Sequence, residues 1–303
     1  MNGLIIVNQY LGHNEYKVRR FKEEFSKLNV CLDVFVNDGS LAVIRNNRIH
    51  IKLPKADFVI YLDKDIYLAR QLEKAGYRLF NKADFIKTCD DKMLTNIALA
   101  NNDIRCPKTI SGPLFYNERL KKENLTFLKS VMHELGMPLV VKKVYGSLGM
   151  GVYLANDEKE LTKIYRANCR LPIQFQEYIK ESYGKSMRII VIDRKVVGGF
   201  IRYNKSDFRS NFGPDASAKK ATNCDKFFAF ADKIAKIMDI EYAGIDLLFG
   251  YKDQPVLCEV NSNAFFEEFE RITKKNVAKK FATYIVKTVK KEHEQKQAKN
   301  PTR

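Results

Sequence analysis

Pro255-Val-Leu-Cys-Glu-Val-Asn-Ser-Asn263 is the stretch that decides how the rest of the chain is read. Apolar and β-branched residues run into polar ones, as in a strand that leaves a core and ends at a surface. Glu259 and Asn261 are two residues apart, so an extended backbone projects both from one face. Upstream, Tyr242-Ala-Gly-Ile-Asp-Leu-Leu-Phe249 is a second apolar strand carrying one acid, Asp246. The turn Gly250-Tyr-Lys-Asp-Gln254 joins the two, so they can pair as a hairpin. Two carboxylates and an amide oxygen then converge on one face. Hard oxygen donors of this kind suit magnesium, which takes one or two carboxylates plus substrate phosphates. The competing reading is that Asp246 and Glu259 are exposed polar positions on ordinary strands, and the hairpin alone leaves both open.

A chain of 303 residues, 45% hydrophobic and 29% charged, has the length of two domains or one large one and enough apolar residues for a full core. No apolar run approaches the ~18 residues that cross a bilayer. Met1-Asn-Gly-Leu-Ile-Ile-Val-Asn8 has no basic leader and too short an apolar segment for a signal peptide. The six cysteines, at 31, 89, 106, 169, 224 and 258, are scattered singly. Free thiols in a cytoplasmic enzyme fit that scatter better than a disulfide framework or a zinc site. The net charge of +17 admits nucleic acid, an anionic membrane surface or anionic small substrates as partners. Much of it lies near the C-terminus, at Lys274, Lys275, Lys279, Lys280, Lys287, Lys290, Lys291, Lys296, Lys299 and Arg303. A solvated helix face with a frayed end accounts for that run. The absence of zinc-finger spacing, an RNA-recognition signature or a helix-turn-helix pattern argues against nucleic acid.

Strands and helices alternate over the first third of the chain. Leu4-Ile-Ile-Val7, Cys31-Leu-Asp-Val-Phe-Val36, Ala56-Asp-Phe-Val-Ile-Tyr-Leu62 and Tyr77-Arg-Leu-Phe80 read as strands. Tyr16 to Leu28 and Asp65 to Ala75 read as helices, the second closed by Gly76. This order predicts a small parallel α/β layer over residues 1–88. The loop Asn8-Gln-Tyr-Leu-Gly12 lacks the glycines of a dinucleotide-binding turn. Residues 84–101 read as one helix, and Leu114 to Leu135 contains another. Farther on, the spacing predicts helices over 157–167, 226–238 and 276–289 and a long hairpin over 186–203 that turns at Asp193-Arg-Lys195.

Leu139-Val-Val-Lys-Lys-Val144 is a strand with Lys142 in an apolar run, and it leads into Tyr145-Gly-Ser-Leu-Gly-Met-Gly151 and then strand Val152-Tyr-Leu-Ala155. The order is strand, glycine loop, strand, which differs from a Walker-type loop that opens a helix. Gly146, Gly149 and Gly151 permit close backbone approach, and exposed N–H groups in such a loop can bind phosphate oxygens. Lys142 can reach a nucleotide phosphate as a point charge. A flexible β-turn is the competing reading of the loop. Pro172-Ile-Gln-Phe-Gln-Glu-Tyr-Ile179 would lie as a strand beside this hairpin, and Asp207-Phe-Arg-Ser-Asn-Phe-Gly213 reads as a polar loop.

Taken together, Leu139 to Val152, Gln176-Glu-Tyr-Ile179, Asp207-Phe-Arg-Ser-Asn211, Ala243-Gly-Ile-Asp246 and Cys258-Glu-Val-Asn261 resemble the ATP-grasp superfamily. Within it the chain looks closest to the RimK-like carboxylate–amine ligases. The resemblance covers roughly residues 85–290 and implies an α/β (α+β) ATP-grasp fold after an N-terminal pre-ATP-grasp domain. The implied division is 1–88 for that domain and 89–292 for the ATP-grasp domain. The latter splits into a nucleotide-clamping part at about 105–180 and a metal-binding, catalytic part at about 181–292, leaving 293–303 as a polar, disordered tail.

The resemblance implies ATP and magnesium, with manganese as the alternative ion. Lys142 and Lys92 resemble the family's phosphate and nucleotide contacts. The backbone of Gly146, Ser147, Gly149 and Gly151 would form its lid. Gln176, Glu177, Tyr178 and Ile179 match the linker that holds adenine, and Arg209, Ser210 and Asn211 match the motif near the terminal phosphate. Asp246, Glu259 and Asn261 fall on the magnesium ligands. Arg209, Asn211 and Lys142 would serve catalysis. Two departures stand out. Ser186 occupies a position where the family often has an acid contacting ribose. Asn261-Ser-Asn-Ala-Phe-Phe266 replaces Asn-x-x-Pro-Gly next to the acceptor site, so a ribosomal-protein substrate, as some of the family use, is not to be assumed.

The implied reaction turns a carboxylate into an acylphosphate at the expense of ATP, then into an amide by attack of an amine. The expected partners are a small-molecule or peptide carboxylate and an amine or amino acid, with glutamate as a candidate for one of the two substrates. Arg188 and Arg202 are candidate anchors for a substrate carboxylate, against a salt bridge on a strand face. Phe265, Phe266 and Phe269 suit core packing better than an acceptor pocket. His13, His50, His133 and His293 lie outside every motif. A small-molecule kinase on the same scaffold and a nucleotide- or nucleic-acid-binding module without catalysis are the alternative functions. Homo-oligomers are compatible with the resemblance, and nothing calls for a membrane.

Overall fold

The computed structural model describes residues 1–8, 14–116, 125–147 and 149–299. The loop after Asn8 with His13, the middle of the helix expected over 114–135, Leu148 of the glycine loop and the last four residues of the expected tail lie outside them. The chain opens with β1 (Asn2–Asn8), α1 (Glu15–Ser26), β2 (Cys31–Asn37), β3 (Ala42–Arg45), β4 (Arg48–Ile51), β5 (Phe58–Leu62), α2 (Ile66–Lys74) and β6 (Leu79–Phe80). Next come α3 (Ala83–Asp90), α4 (Lys92–Leu99), β7 (Thr109–Ser111), α5 (Phe127–Leu135), β8 (Leu139–Lys143), β9 (Val152–Ala155), α6 (Glu158–Asn168) and β10 (Ile173–Glu177). The remainder is β11 (Lys185–Ile192), β12 (Lys195–Tyr203), β13 (Ser217–Lys220), α7 (Asp225–Ile237), β14 (Tyr242–Phe249), β15 (Pro255–Asn261), α8 (Glu267–Thr273) and α9 (Val277–Lys299).

The first sheet is parallel, in the order β2-β1-β5-β6. Its central strands read as continuous apolar runs because both faces are covered. Ile5, Val7 and Ile60 pack with Phe21 and Phe25 of α1 and Phe281 of α9, while Leu4, Ile6 and Val59 pack with Leu68 and Leu72 of α2. The second sheet, β7-β10-β8-β9, is antiparallel and buries one face against α5 and α6. The third, β13-β12-β11-β14-β15, is antiparallel and carries α7 on one face. Its other face joins the core shared with α9 and the first sheet. Buried Asn81 fastens the two units: its Nδ2 donates to the carbonyls of Tyr242 and Ser262, both at 2.8 Å, and its Oδ1 accepts from Tyr242 N at 3.2 Å.

Three elements differ from the sequence reading. The helix expected over 84–101 is two, α3 and α4, because Asp91 is extended and its carboxylate caps α4 by accepting from Leu94 N at 2.9 Å. Residues 42–51 form the β3–β4 hairpin, turned by Asn46 and Asn47 at positive φ. The closing helix runs on to Lys299, so the stretch expected as a tail from 293 is helical through 299. Among the described residues no helix is long and apolar enough to cross a membrane.

Candidate active site

The β14–β15 register places Asp246 directly opposite Glu259 and Gly244 opposite Asn261, so all three oxygen-bearing side chains share one face. The pairing then shifts, with Leu247 opposite Leu257. Cys258 is the extra residue of that bulge, and it joins Glu259 in lining the cleft instead of alternating away from it. Asn261 Nδ2 donates to Glu259 Oε1 at 3.1 Å. Among the described residues no group of three or more His, Cys, Asp or Glu side chains could hold a metal ion. The set here is two carboxylates and an amide. Its oxygen chemistry fits magnesium, which fills its remaining positions with water and phosphate.

Asp246 is buried beside two arginines. Arg188, its cross-strand partner, donates from Nε to Oδ1 and from Nη2 to Oδ2, the latter at 2.6 Å. Arg202 stands off at 3.5 Å from each oxygen. Burial alone would raise the Asp246 pKa; Arg188, then Arg202, hold it below the usual carboxylate value. Burial, then the neighbouring Arg188, lowers the Arg202 pKa. Arg188 is therefore committed to Asp246, whereas Arg202 has only long contacts with it. Of the two expected carboxylate anchors, Arg188 makes the close buried salt bridge to Asp246, and both arginines line the adjoining cavity.

The glycine loop between β8 and β9 lies across the cleft. Lys92, the first residue of α4, donates from Nζ to the Gly146 carbonyl at 2.8 Å, tying the base of the loop. Burial lowers its pKa, which Glu259 partly opposes. Lys142 is buried in β8 with its Nζ 3.9 Å from Cys258 Sγ. At the loop tip, Arg209 Nη1 donates to the Gly149 carbonyl at 2.9 Å, and the guanidinium lies 3.5 Å from the Phe212 ring centroid. Asp207 takes the rest of Arg209, accepting from Nε at 2.9 Å and Nη2 at 2.7 Å. Gly149 has φ +74°, and a Cβ there would press Phe212 at 3.3 Å.

The 204–212 loop that carries Arg209 is shaped by buried Asn204. Its Oδ1 accepts from the backbone of Ser206 and Asp207, and its Nδ2 donates to the carbonyls of Arg209 and Phe212. Gly184 makes this possible, since a Cβ there would sit 1.9 Å from the Asn204 carbonyl oxygen. Ser210 and Ser186 share a hydrogen bond of 2.6 Å between hydroxyls, which brings the expected ribose position beside the expected phosphate motif.

On the linker, Gln176 Nε2 donates to Thr109 Oγ1 at 2.8 Å, while its buried Oε1 has no partner among the described residues. Glu177 Oε2 accepts from Lys108 N at 2.9 Å, and Tyr178 packs edge-on against Phe208, 6.4 Å between centroids.

These residues enclose a cleft of about 910 Å³ including its mouth. All the expected nucleotide residues that the structure describes line it except Gly151, and so do Asp246 and Glu259. A second cavity of about 1440 Å³ adjoins it, bounded by the N-terminal sheet, Arg188, Asn261 and Phe265. Five residues border both: Ser147, Arg202, Ser210, Asn211 and Glu259. Sequence reasoning missed the contributions of Cys258, Phe208 and Lys185 to the first, and of Asn14, Asp63 and Asn263 to the second. Only the bulge reveals Cys258, and only tertiary folding brings residues 14 and 63 here. Phe266 and Phe269 are fully buried in the core, while Phe265 is 43% exposed at the cavity wall. No described histidine lines either space.

Residues 89–285 match the RimK-like ATP-grasp domain. The chain is 31% identical over 226 residues to human N-acetylaspartylglutamate synthase A, a match covering 74% of this chain and 56% of that protein. It is 29% identical over 297 residues to a probable alpha-L-glutamate ligase of Psychromonas ingrahamii, covering 93% of this chain and 94% of that one. D-alanine–D-alanine ligase from Bacillus anthracis shares the fold with a TM-score of 0.72 at 16% identity, over 98% of this chain and 99% of that one.

Proposed function

The chain belongs to the RimK-like ATP-grasp family, and from that premise we propose that it joins a carboxylate to an amine at the expense of ATP. The observation that carries this reading is the shared border of the two spaces. A nucleotide in the first would direct its terminal phosphate at Ser147, Ser210, Asn211 and Glu259, where the second space opens. A carboxylate in the second would then meet that phosphate in line.

The chemistry follows from the poor electrophilicity of a carboxylate. Its oxygen attacks the γ-phosphorus, the bond to the bridging oxygen breaks, and ADP leaves. The amine nitrogen then attacks the acyl carbon, and the tetrahedral adduct expels phosphate with the bonding electrons and releases a proton. Such transfers depend on positioning and charge neutralisation more than on covalent help. Lys142 and Lys92 would bind phosphate oxygens, and the N–H groups of the glycine loop would close over them. Arg209 fits a latch: exchange of the Gly149 carbonyl for phosphate would couple loop position to the nucleotide. Gln176 lines the cleft on the linker, where the adenine would lie. Asn211 borders the meeting point, and Arg202 suits the incoming carboxylate. Asp246, Glu259 and Asn261 would hold magnesium, or manganese in its place, which neutralises charge on the phosphate oxygens when bound.

The relatives' names support an amino acid, glutamate foremost, as the amine. A small-molecule or peptide carboxylate is its partner. Six free cysteines support work in the cytoplasm, and the +17 charge supports anionic substrates without requiring nucleic acid or a particular oligomer. The test is ADP release screened over pooled amino acids and carboxylates, with mass spectrometry of products. Amide formed only when both classes are present supports a ligase; a phosphorylated product from one acceptor would identify a kinase instead.

A further inference from the structure

Two opposite charges face the second cavity without neutralising each other. Phe200 and Arg202 lie two residues apart on β12 and share a strand face. Phe200 packs edge-on against Phe269 of α8, 6.4 Å between centroids. Phe269 is thereby buried against β12, and Glu268, the residue before it, lines the cavity that Arg202 also lines. The ion pair of Arg202 is a 3.5 Å contact with Asp246, and that of Glu268 is a 3.5 Å contact with Arg271. Burial and Arg188 lower the Arg202 pKa, while Asp246, Glu268 and Glu259 oppose that shift. Glu268 therefore stands within electrostatic reach of Arg202 but is not paired with it.

The other charged groups described on this cavity are engaged. Asp63 accepts from Asn8 Nδ2 at 3.1 Å, Asn37 Nδ2 at 2.8 Å and Lys64 N at 2.7 Å. Lys64 Nζ is paired with Asp90. Arg188 holds Asp246, and Glu259 belongs to the oxygen set. On α8 itself, Glu267 borders a separate hollow beside Tyr16 and Arg19. Glu270 accepts from Tyr16 Oη at 2.7 Å, Arg20 Nε at 3.1 Å and Val277 N at 2.7 Å. Glu268 is different: its side chain is 45% exposed, and its contact with Arg271 is a surface pair three residues apart, of a kind that holds little.

We propose that Glu268 receives the ammonium group of the amine substrate, next to the carboxylate substrate at Arg202. The proposal rests on the ligase reading above. A ligase must bring together an anion and an amine, and near neutral pH a free aliphatic amine arrives as a cation. A guanidinium and a carboxylate that share one cavity and leave each other unpaired match those two substrates in sign. Arg202 borders both spaces and Glu268 only the second, so the carboxylate meets the phosphate and the amine stands beyond it. Hydrogen bonds between ionised partners are stronger than neutral ones, so this position favours an amine over a hydroxyl, and hence an amide over an ester. The same charge repels an anionic group, so the carboxylates of an incoming amino acid point away from α8.

The test is steady-state ADP release with L-glutamate as the amine probe and the carboxylate pool in excess, using wild type, Glu268→Gln, Glu268→Asp and Glu268→Lys, together with thermal unfolding of each. Glutamine keeps the shape and loses the charge, aspartate keeps the charge on a shorter arm, and lysine reverses it. The expected result is a KM for glutamate raised about tenfold in Glu268→Gln, less in Glu268→Asp and more in Glu268→Lys, with KM for ATP and the unfolding midpoint as in wild type. An unchanged or lowered KM for glutamate in Glu268→Gln would place the ammonium elsewhere and overturn the assignment while leaving the ligase reading intact. A raised KM that comes with a lowered unfolding midpoint in Glu268→Gln would reassign Glu268 to a structural role and overturn it too. No ADP release by wild type with glutamate and the carboxylate pool would overturn the glutamate reading and this assignment together.

Discussion

Arg188 donates to both carboxylate oxygens of Asp246 across the β11–β14 pair, and both side chains are buried. An uncompensated charge in that position is expensive. Arg188→Met should destabilise the chain by roughly 3–5 kcal/mol, read from urea unfolding near neutral pH. The arginines hold the Asp246 pKa down against burial, so the carboxylate's contribution is present above its unfolded pKa of about 3.9 and fades as pH falls through the depressed value. The Arg188→Met penalty should therefore shrink on acidification. A penalty independent of pH down to the acid transition would show that the charge pair is not its source.

Glu259 borders both the nucleotide cleft and the adjoining cavity. Glu259→Gln keeps the shape and removes one anionic donor from the oxygen set. Magnesium-dependent ADP release should fall to background, while circular dichroism and the unfolding midpoint stay near wild type. Undiminished turnover would mean that the metal face is elsewhere.

Arg209 bridges the glycine loop and its own loop through the Gly149 carbonyl and Asp207. Arg209→Ala should lower kcat/KM by about 100-fold, the scale of one lost electrostatic contact to the transition state. KM for ATP should rise as well, because loop closure is impaired. Arg209→Lys should recover only part, since lysine lacks the planar fork. Full activity in Arg209→Ala would remove it from the machinery.

Lys17 is 1% exposed, and burial lowers its pKa to about 7. The folded chain releases this proton near pH 7, while the unfolded chain keeps it to about 10.4. The unfolded state binds more protons between those values, so this lysine makes stability rise with pH there, by up to about 1.4 kcal/mol per unit. Lys17→Met should flatten the rise in unfolding free energy from pH 7 to 10. An identical slope in the variant would show that Lys17 is not the titrating group.

The hairpin periodicity of residues 242–261 was legible because alternation in an extended strand depends on local geometry alone, and the β14–β15 register bears out the shared face of Asp246, Glu259 and Asn261. The bulge at Cys258 was not legible, since a one-residue slip leaves no mark in a pattern of apolar residues. The break at Asp91 was readable in principle: Asp91-Lys-Met-Leu94 has an N-cap residue before a helical run, but the continuous apolar spacing on both sides masked it. The second cavity was beyond reach. Asn14, Asp63 and Asn263 are far apart in the chain, and only the docking of the parallel sheet against the β15 exit brings them together.

The most direct test of the account follows the oxygen atoms. A turnover with the carboxylate substrate labelled with ¹⁸O, ATP, magnesium and the amine should release phosphate carrying one ¹⁸O from the carboxylate, because an acylphosphate leaves that oxygen on phosphorus. Amide product accompanied by unlabelled phosphate would contradict activation of the carboxylate by the γ-phosphate, and with it the role assigned to the junction of the two cavities.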